Sequence, residues 1–161
     1  MAHALDGFAH AVESLGGGAI GARDRRAFRE SVRVSMFWGL VIAAGFSLVY
    51  LFAGTFIIDL LTGIDSVRAT AREFLVWLIA MPLVAVFPFV LDGVFLGGTR
   101  GRTMRNAMIA SLVLYLACCF VLVPLWGNDG LWASLMIFMG ARGVTLGVRY
   151  PALERAIGDP A

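Results

Sequence analysis

Three stretches without a charged side chain, residues 34–58, 74–91 and 107–127, dominate this chain and leave it little choice of fold. As helices, at about 1.5 Å per residue, they would measure about 37, 27 and 31 Å, against a bilayer hydrocarbon core of about 30 Å. Residues 131–148 form a fourth apolar run, broken only by Arg142. A backbone that crosses hydrocarbon must satisfy its own N–H and C=O groups, and apolar runs of this length do so as helices. Composition agrees: 60% of the residues are hydrophobic, 15% are charged, mean hydropathy is +0.84, and there is no lysine. A water-soluble domain carries about 25% charged residues. The chain is therefore expected to be an all-α integral membrane protein with about five transmembrane helices.

Those helices are expected at residues 2–21, 29–61, 67–98, 104–125 and 130–149, the first being a weak, Gly-rich segment and a doubtful span. Thr62-Gly63-Ile64-Asp65-Ser66 reads as a turn, with Asp65 or Ser66 as the N-cap of the next helix. Pro124 and Gly127-Asn128-Asp129-Gly130 should end the fourth helix, and Pro151 should begin a short tail. Alternating links place eleven arginines on one side of the membrane and only Arg68 and Arg72 on the other. By the positive-inside rule the links at 22–33 and 99–105 and the C-terminus are cytoplasmic. Trp126 and Trp132 flank the outer turn as interfacial anchors would. The start, with His3, Asp6, His10 and Glu13, lacks the basic and apolar regions of a signal peptide.

Asp92 is the residue that asks for a function. It lies eight residues before Arg100, the first of a basic cluster, so about 12 Å of helix separates it from the expected membrane surface. A carboxylate at that depth costs on the order of 2.5–3.5 kcal/mol and should face protein or a watery cavity. Pro82 and Pro88 precede it by ten and four residues, and each removes a backbone donor, so a kink is expected there. Buried acid, kink and nearby glycines together point to a solute or ion site.

Asp6, His10 and Glu13, with His3, fall within about an 80° arc of a helix, a polar stripe fit to line a cavity and exchange protons. His3 and His10 are seven residues apart, about 10 Å, too far to share one metal ion, and no metalloprotease motif is present. Arg142 is expected to snorkel toward the cytoplasm, with pairing to an acid of a neighbouring helix as the alternative. Asp59 and Asp129 read as solvated caps. Gly17/Gly21, Gly93/Gly97/Gly101 and Gly143/Gly147 have the four-residue spacing that lets helices pack closely. Cys118 and Cys119, adjacent in an apolar run, read as small hydrophobes. Gly16-Gly17-Gly18 lacks the Lys and Ser/Thr of a phosphate loop, which argues against ATP-driven transport. Neither an enzyme activity, nor a cofactor beyond a coupling ion, nor a nucleic-acid partner is expected.

Four segments carry a family likeness: residues 5–15 (Leu-Asp-Gly-Phe-Ala-His-Ala-Val-Glu-Ser-Leu), Gly17-x-x-x-Gly21-Ala22-Arg23-Asp24, Leu91-Asp92-Gly93-Val94-Phe95-x-Gly97-x-Thr99-Arg100, and Pro124-Leu125-Trp126-Gly127-Asn128-x-Gly130-Leu131-Trp132. Together they resemble the C-terminal half of a multidrug and toxic compound extrusion (MATE) transporter, most closely the DinF-like branch. The resemblance implies most of one six-helix lobe of a two-lobed transporter, beginning in the eighth span and running through the twelfth. It implies exchange of protons or sodium ions for small organic, often cationic, compounds across the inner membrane. It places Asp92 where some sodium-coupled members carry a cation-site carboxylate. The seventh-span acid and the first-span carboxylate of the family have no counterpart here, so the chain is expected to be a fragment that works with a missing N-terminal lobe or through self-association. A non-transporting membrane scaffold and a lipid-linked precursor flippase of the same superfamily stay open as alternatives.

Overall fold

The computed structural model describes residues 2–157, with side chains from Asp6 onward. Six helices follow one another: α1 (Ala2–Gly21), α2 (Arg25–Leu61), α3 (Asp65–Glu73), α4 (Leu75–Gly97), α5 (Gly101–Trp126) and α6 (Asn128–Arg155). Helices α2, α4, α5 and α6 are long and apolar enough to cross a membrane. At about 1.5 Å per residue they measure about 55, 35, 39 and 42 Å.

Local chemistry sets most boundaries. Asp24 caps α2, its Oδ1 accepting from the Ala27 amide at 2.9 Å. Just before it Arg23 is left-handed (φ 55°) and the Asp24 amide donates to the Ala19 carbonyl at 2.9 Å, closing α1. The same closure recurs between α4 and α5. Thr99 is left-handed (φ 53°) and the Arg100 amide donates to the Phe95 carbonyl at 2.9 Å. Only a single residue, Gly127 at φ 58°, separates α5 from α6, a conformation that glycine adopts without a Cβ clash.

Four expected boundaries are corrected. The single helix at 67–98 is broken at Phe74 (φ −90°, ψ 2°) into the polar α3 and the apolar α4. Arg68 explains why: its guanidinium folds back on the end of α2, donating to the carbonyls of Thr62 at 2.7 Å and Asp59 at 2.9 Å. Arg72 bonds the Asp59 carboxylate at 2.5 Å, so α3 is tied down while α4 turns into the bundle. Neither Asp65 nor Ser66 is the cap: Ile64 holds that position, without a side-chain bond, and Asp65 begins the helix. Pro151 does not start a tail. Helix α6 runs through it to Arg155 because Glu154, buried, receives both Arg25 (3.0 Å) and Arg29, and Tyr150 stacks on Phe28 with ring centroids 5.9 Å apart. Pro124 likewise lies inside α5.

Helix α4 is the centre of the bundle, packed by α1, α2 and α6, while α5 leans chiefly on α6. Its Val86, Val90, Val94 and Phe95 are fully buried together with Val12, Phe28 and Leu146. Around this core the outer faces are apolar rather than polar: Phe52, Phe56 and Leu60 of α2 and Phe120 of α5 are all at least 70% exposed. Such contiguous apolar surface belongs against lipid or another protein.

Candidate functional site

Asp92 stands on α4, about 26 Å of helical rise from Leu75 at one end and about 8 Å from Gly97 at the other. Its Oδ2 meets Arg142 Nη2 of α6 at 2.5 Å, with the two side chains only 17% and 16% exposed. Arg142 therefore does not snorkel: it lies near the middle of α6 and turns inward to the acid, which in low dielectric is the cheaper way to hold either charge. The second carboxylate oxygen, Oδ1, is buried without a hydrogen-bond partner among the described residues. Each ion supplies the other's charge, yet the acid keeps an unused acceptor.

Glycine spacing brings the pair together. A Cβ on Gly143, the residue after Arg142, would sit 3.4 Å from the Phe87 side chain and 3.5 Å from Pro88, so α6 approaches α4 closely just before Asp92. Pro82 and Pro88, both buried, leave the carbonyls of Leu78 and Val84 without their helical donors. On the opposite flank a Cβ on Gly93 would overlap the Ala9 carbonyl, and one on Gly97 would come within 2.5 Å of the Glu13 carbonyl and 3.1 Å of the Gly17 amide. Gly17 faces Gly97 in return, Gly147 comes only to ordinary contact with Leu91, and Gly21 and Gly101 face open space.

The polar stripe of α1 is assembled but stands apart. His10 Nδ1 is 3.2 Å from Glu13 Oε2, and His10 Nε2 is 3.8 Å from Asp6 Oδ2. Their side chains are 71%, 36% and 53% exposed, while Ala9 and Val12 of the same helix are buried toward α4. Among the described residues no ion pair or hydrogen bond links the stripe to Asp92, and no cluster of His, Cys, Asp and Glu is arranged for a metal ion. The His3 side chain lies outside the described residues.

Two acids expected as solvated caps are engaged. Asp59 holds Arg72, and Asp129 accepts from the Trp77 indole at 2.8 Å, joining the start of α4 to the start of α6. Glu154, a buried acid held by the half-exposed Arg25 and Arg29, is a second ionic centre that the sequence did not single out. Its only signal was an acid placed beyond a proline. A cavity of about 600 Å³, lined almost wholly by apolar groups, opens between α2, α3, α4 and the start of α6, with Ile57, Leu61, Phe74 and Trp132 among its walls. Leu78, its deepest α4 residue in sequence, is about 21 Å of helix from Asp92.

Apolar helices of spanning length, apolar outer faces and an ion pair held between two of the helices define a multi-pass α-helical membrane protein. The MatE family model matches residues 2–121, and the chain belongs to that family. It is 40% identical over 145 residues to "DNA damage-inducible protein F" of Escherichia coli (strain K12), an alignment that covers 90% of this chain. The chain spans 31% of the length of that relative. No solved structure matches it.

Proposed function

We propose that this chain is part of a cation-coupled antiporter, driven by protons or sodium ions, that exports small organic compounds, with Asp92 as the carboxylate that takes the ion. MatE membership supports the class. The observation that carries the role of Asp92 is its pairing: one oxygen bound to Arg142, the other buried and without a hydrogen-bond partner among the described residues. A proton or sodium ion that reached Oδ1 would compete with the guanidinium for the same charge, and loosening that bond would free α6 from α4. Alternating access needs such an element with two arrangements, worked by an ion that favours one of them.

Asp6, His10 and Glu13 are proposed as proton-exchange groups on the face of α1 turned away from α4, where the remaining lobe of a longer transporter or a second copy would meet them. The apolar cavity is of the size that holds drug-like molecules, about 300–1,000 Å³, which suits an organic substrate. An inner-membrane location with the C-terminus in the cytoplasm is part of this proposal, and the arginine distribution supports the orientation.

The test is Asp92→Asn in the full-length transporter. Export driven by an imposed proton or sodium gradient should fall to background with expression unchanged. Export at the parental rate would overturn the assignment and favour a scaffold, for which Gly93→Leu should instead block association.

A further inference from the structure

At the end of the bundle that carries most of the arginines, α5 and α6 part slightly and leave two adjoining hollows. The first, about 130 Å³, is lined by Arg100, Thr103 and Arg149 with Phe95, Ala152 and Leu153 beneath them. The second, about 260 Å³, shares Thr103 and Arg149, passes Asn106 and Thr145, and continues along the helices past Ala107, Ala110, Val144 and Val148. A cationic recess thus adjoins a mainly apolar channel on the outside of a spanning pair of helices. We propose that this is a binding site for an anionic phospholipid, its phosphate between Arg100 and Arg149 and one acyl chain in the channel.

Charge, shape and placement each favour this occupant. Among the described residues no carboxylate lies within ion-pair distance of Arg100, Arg102, Arg105 or Arg149. Between Arg100 and Arg149 the only acid is Asp129, at the far end of the pair, so the recess is not neutralised from within. Arg100 is held at the corner by the hydrogen bond its backbone N–H donates to the Phe95 carbonyl, which fixes its backbone against the start of α5. Two guanidinium groups and a hydroxyl supply the donors a phosphodiester takes, and planar guanidinium suits its oxygens. A soluble phosphate would use the recess but has no need of the channel. A phosphatidylcholine would use the channel but carries its own cation to the guanidinium groups. Basic recesses between spanning helices at the cytoplasmic surface are where acidic headgroups lodge.

The test uses the purified chain in neutral detergent and native mass spectrometry, with phosphatidylglycerol, phosphatidylcholine of the same acyl chains, and inorganic phosphate as probes. Phosphatidylglycerol should bind more tightly than phosphatidylcholine. The double variant Arg100→Gln/Arg149→Gln should weaken it about thirtyfold, a factor of about five for each guanidinium group near a headgroup. Arg102→Gln/Arg105→Gln removes equal charge but lines neither hollow, so it should weaken binding clearly less than the Arg100/Arg149 variant does. Val148→Trp keeps every arginine and fills the channel, so it should also weaken binding, and it decides the matter if the double arginine variant fails to fold. Unchanged affinity in Val148→Trp or in the Arg100/Arg149 variant would overturn the site. Equal losses in the two arginine pairs would reduce it to diffuse charge, displacement by phosphate alone would make it a site for a free anion, and equal binding of phosphatidylcholine would remove the headgroup; each of these overturns the proposal.

Discussion

If Asp92 and Arg142 neutralise one another across α4 and α6, removing either should do more harm than removing both. The geometry sets the scale. At 2.5 Å, with side chains 17% and 16% exposed, Arg142→Met leaves a carboxylate without its cation and Asp92→Leu leaves a guanidinium without its anion. Breaking one side of a buried pair costs about 3–5 kcal/mol, whereas replacing the whole pair by apolar groups of similar volume is often neutral. Each single variant should therefore lose about 3–5 kcal/mol, and Asp92→Leu/Arg142→Met should be more stable than either. The four tryptophans report unfolding by fluorescence as the purified protein is titrated with a denaturing detergent in micelles. All four members of the cycle are measured under one condition, so the coupling energy is obtained without assigning any absolute stability. A double variant whose loss equals the sum of the two single losses would show that the residues do not act on each other, and the reasoning about charge balance in the span would fail.

Other outcomes follow from the packing and the corners. Gly93→Ala should separate α1 from α4, costing more than about 3 kcal/mol because the new methyl group meets the Ala9 backbone, while Gly18→Ala, in open space, should be neutral or gain up to about 1 kcal/mol; thermal unfolding of the two variants checks both. Thr99→Gly should raise the unfolding midpoint, since a left-handed residue with a Cβ costs about 1–2 kcal/mol, part of which the added freedom of the unfolded chain takes back. Glu154→Gln should loosen the end of α6 from α2, about 2 kcal/mol for hydrogen bonds to a charged acceptor, and be seen as faster amide exchange in residues 150–157 without change in residues 128–140.

The apolar runs and the arginine-rich links made the spanning helices legible, because lipid solvation depends on composition and length more than on packing detail. Asp92 was legible for the same reason: a charge in such a run is costly wherever it points. Its partner was not, since Arg142 could reach either outward along its own helix or inward to α4, and a linear sequence does not fix the rotation of α6. Glycine periodicity found Gly93 and Gly97, yet it gave equal weight to Gly21, which lies at a helix end with nothing opposite. The break at Phe74 is not legible because no Gly or Pro lies between Ser66 and Met81, and it arises instead from Arg68 and Arg72 reaching back to α2, a tertiary constraint. Glu154 was missed because a proline three residues earlier reads as the end of a helix unless something beyond it is anchored.

Helix α5 touches the rest of the bundle mainly through α6, and the two are joined by a single glycine with Gly130 pressed against the Leu122 backbone. A tilt of α6 would carry its neighbour along, the pair moving as one lever hinged against the central rod. A small displacement at the guanidinium would then be magnified at the far rim, where the Trp77 indole reaches across to Asp129 and would register the stroke.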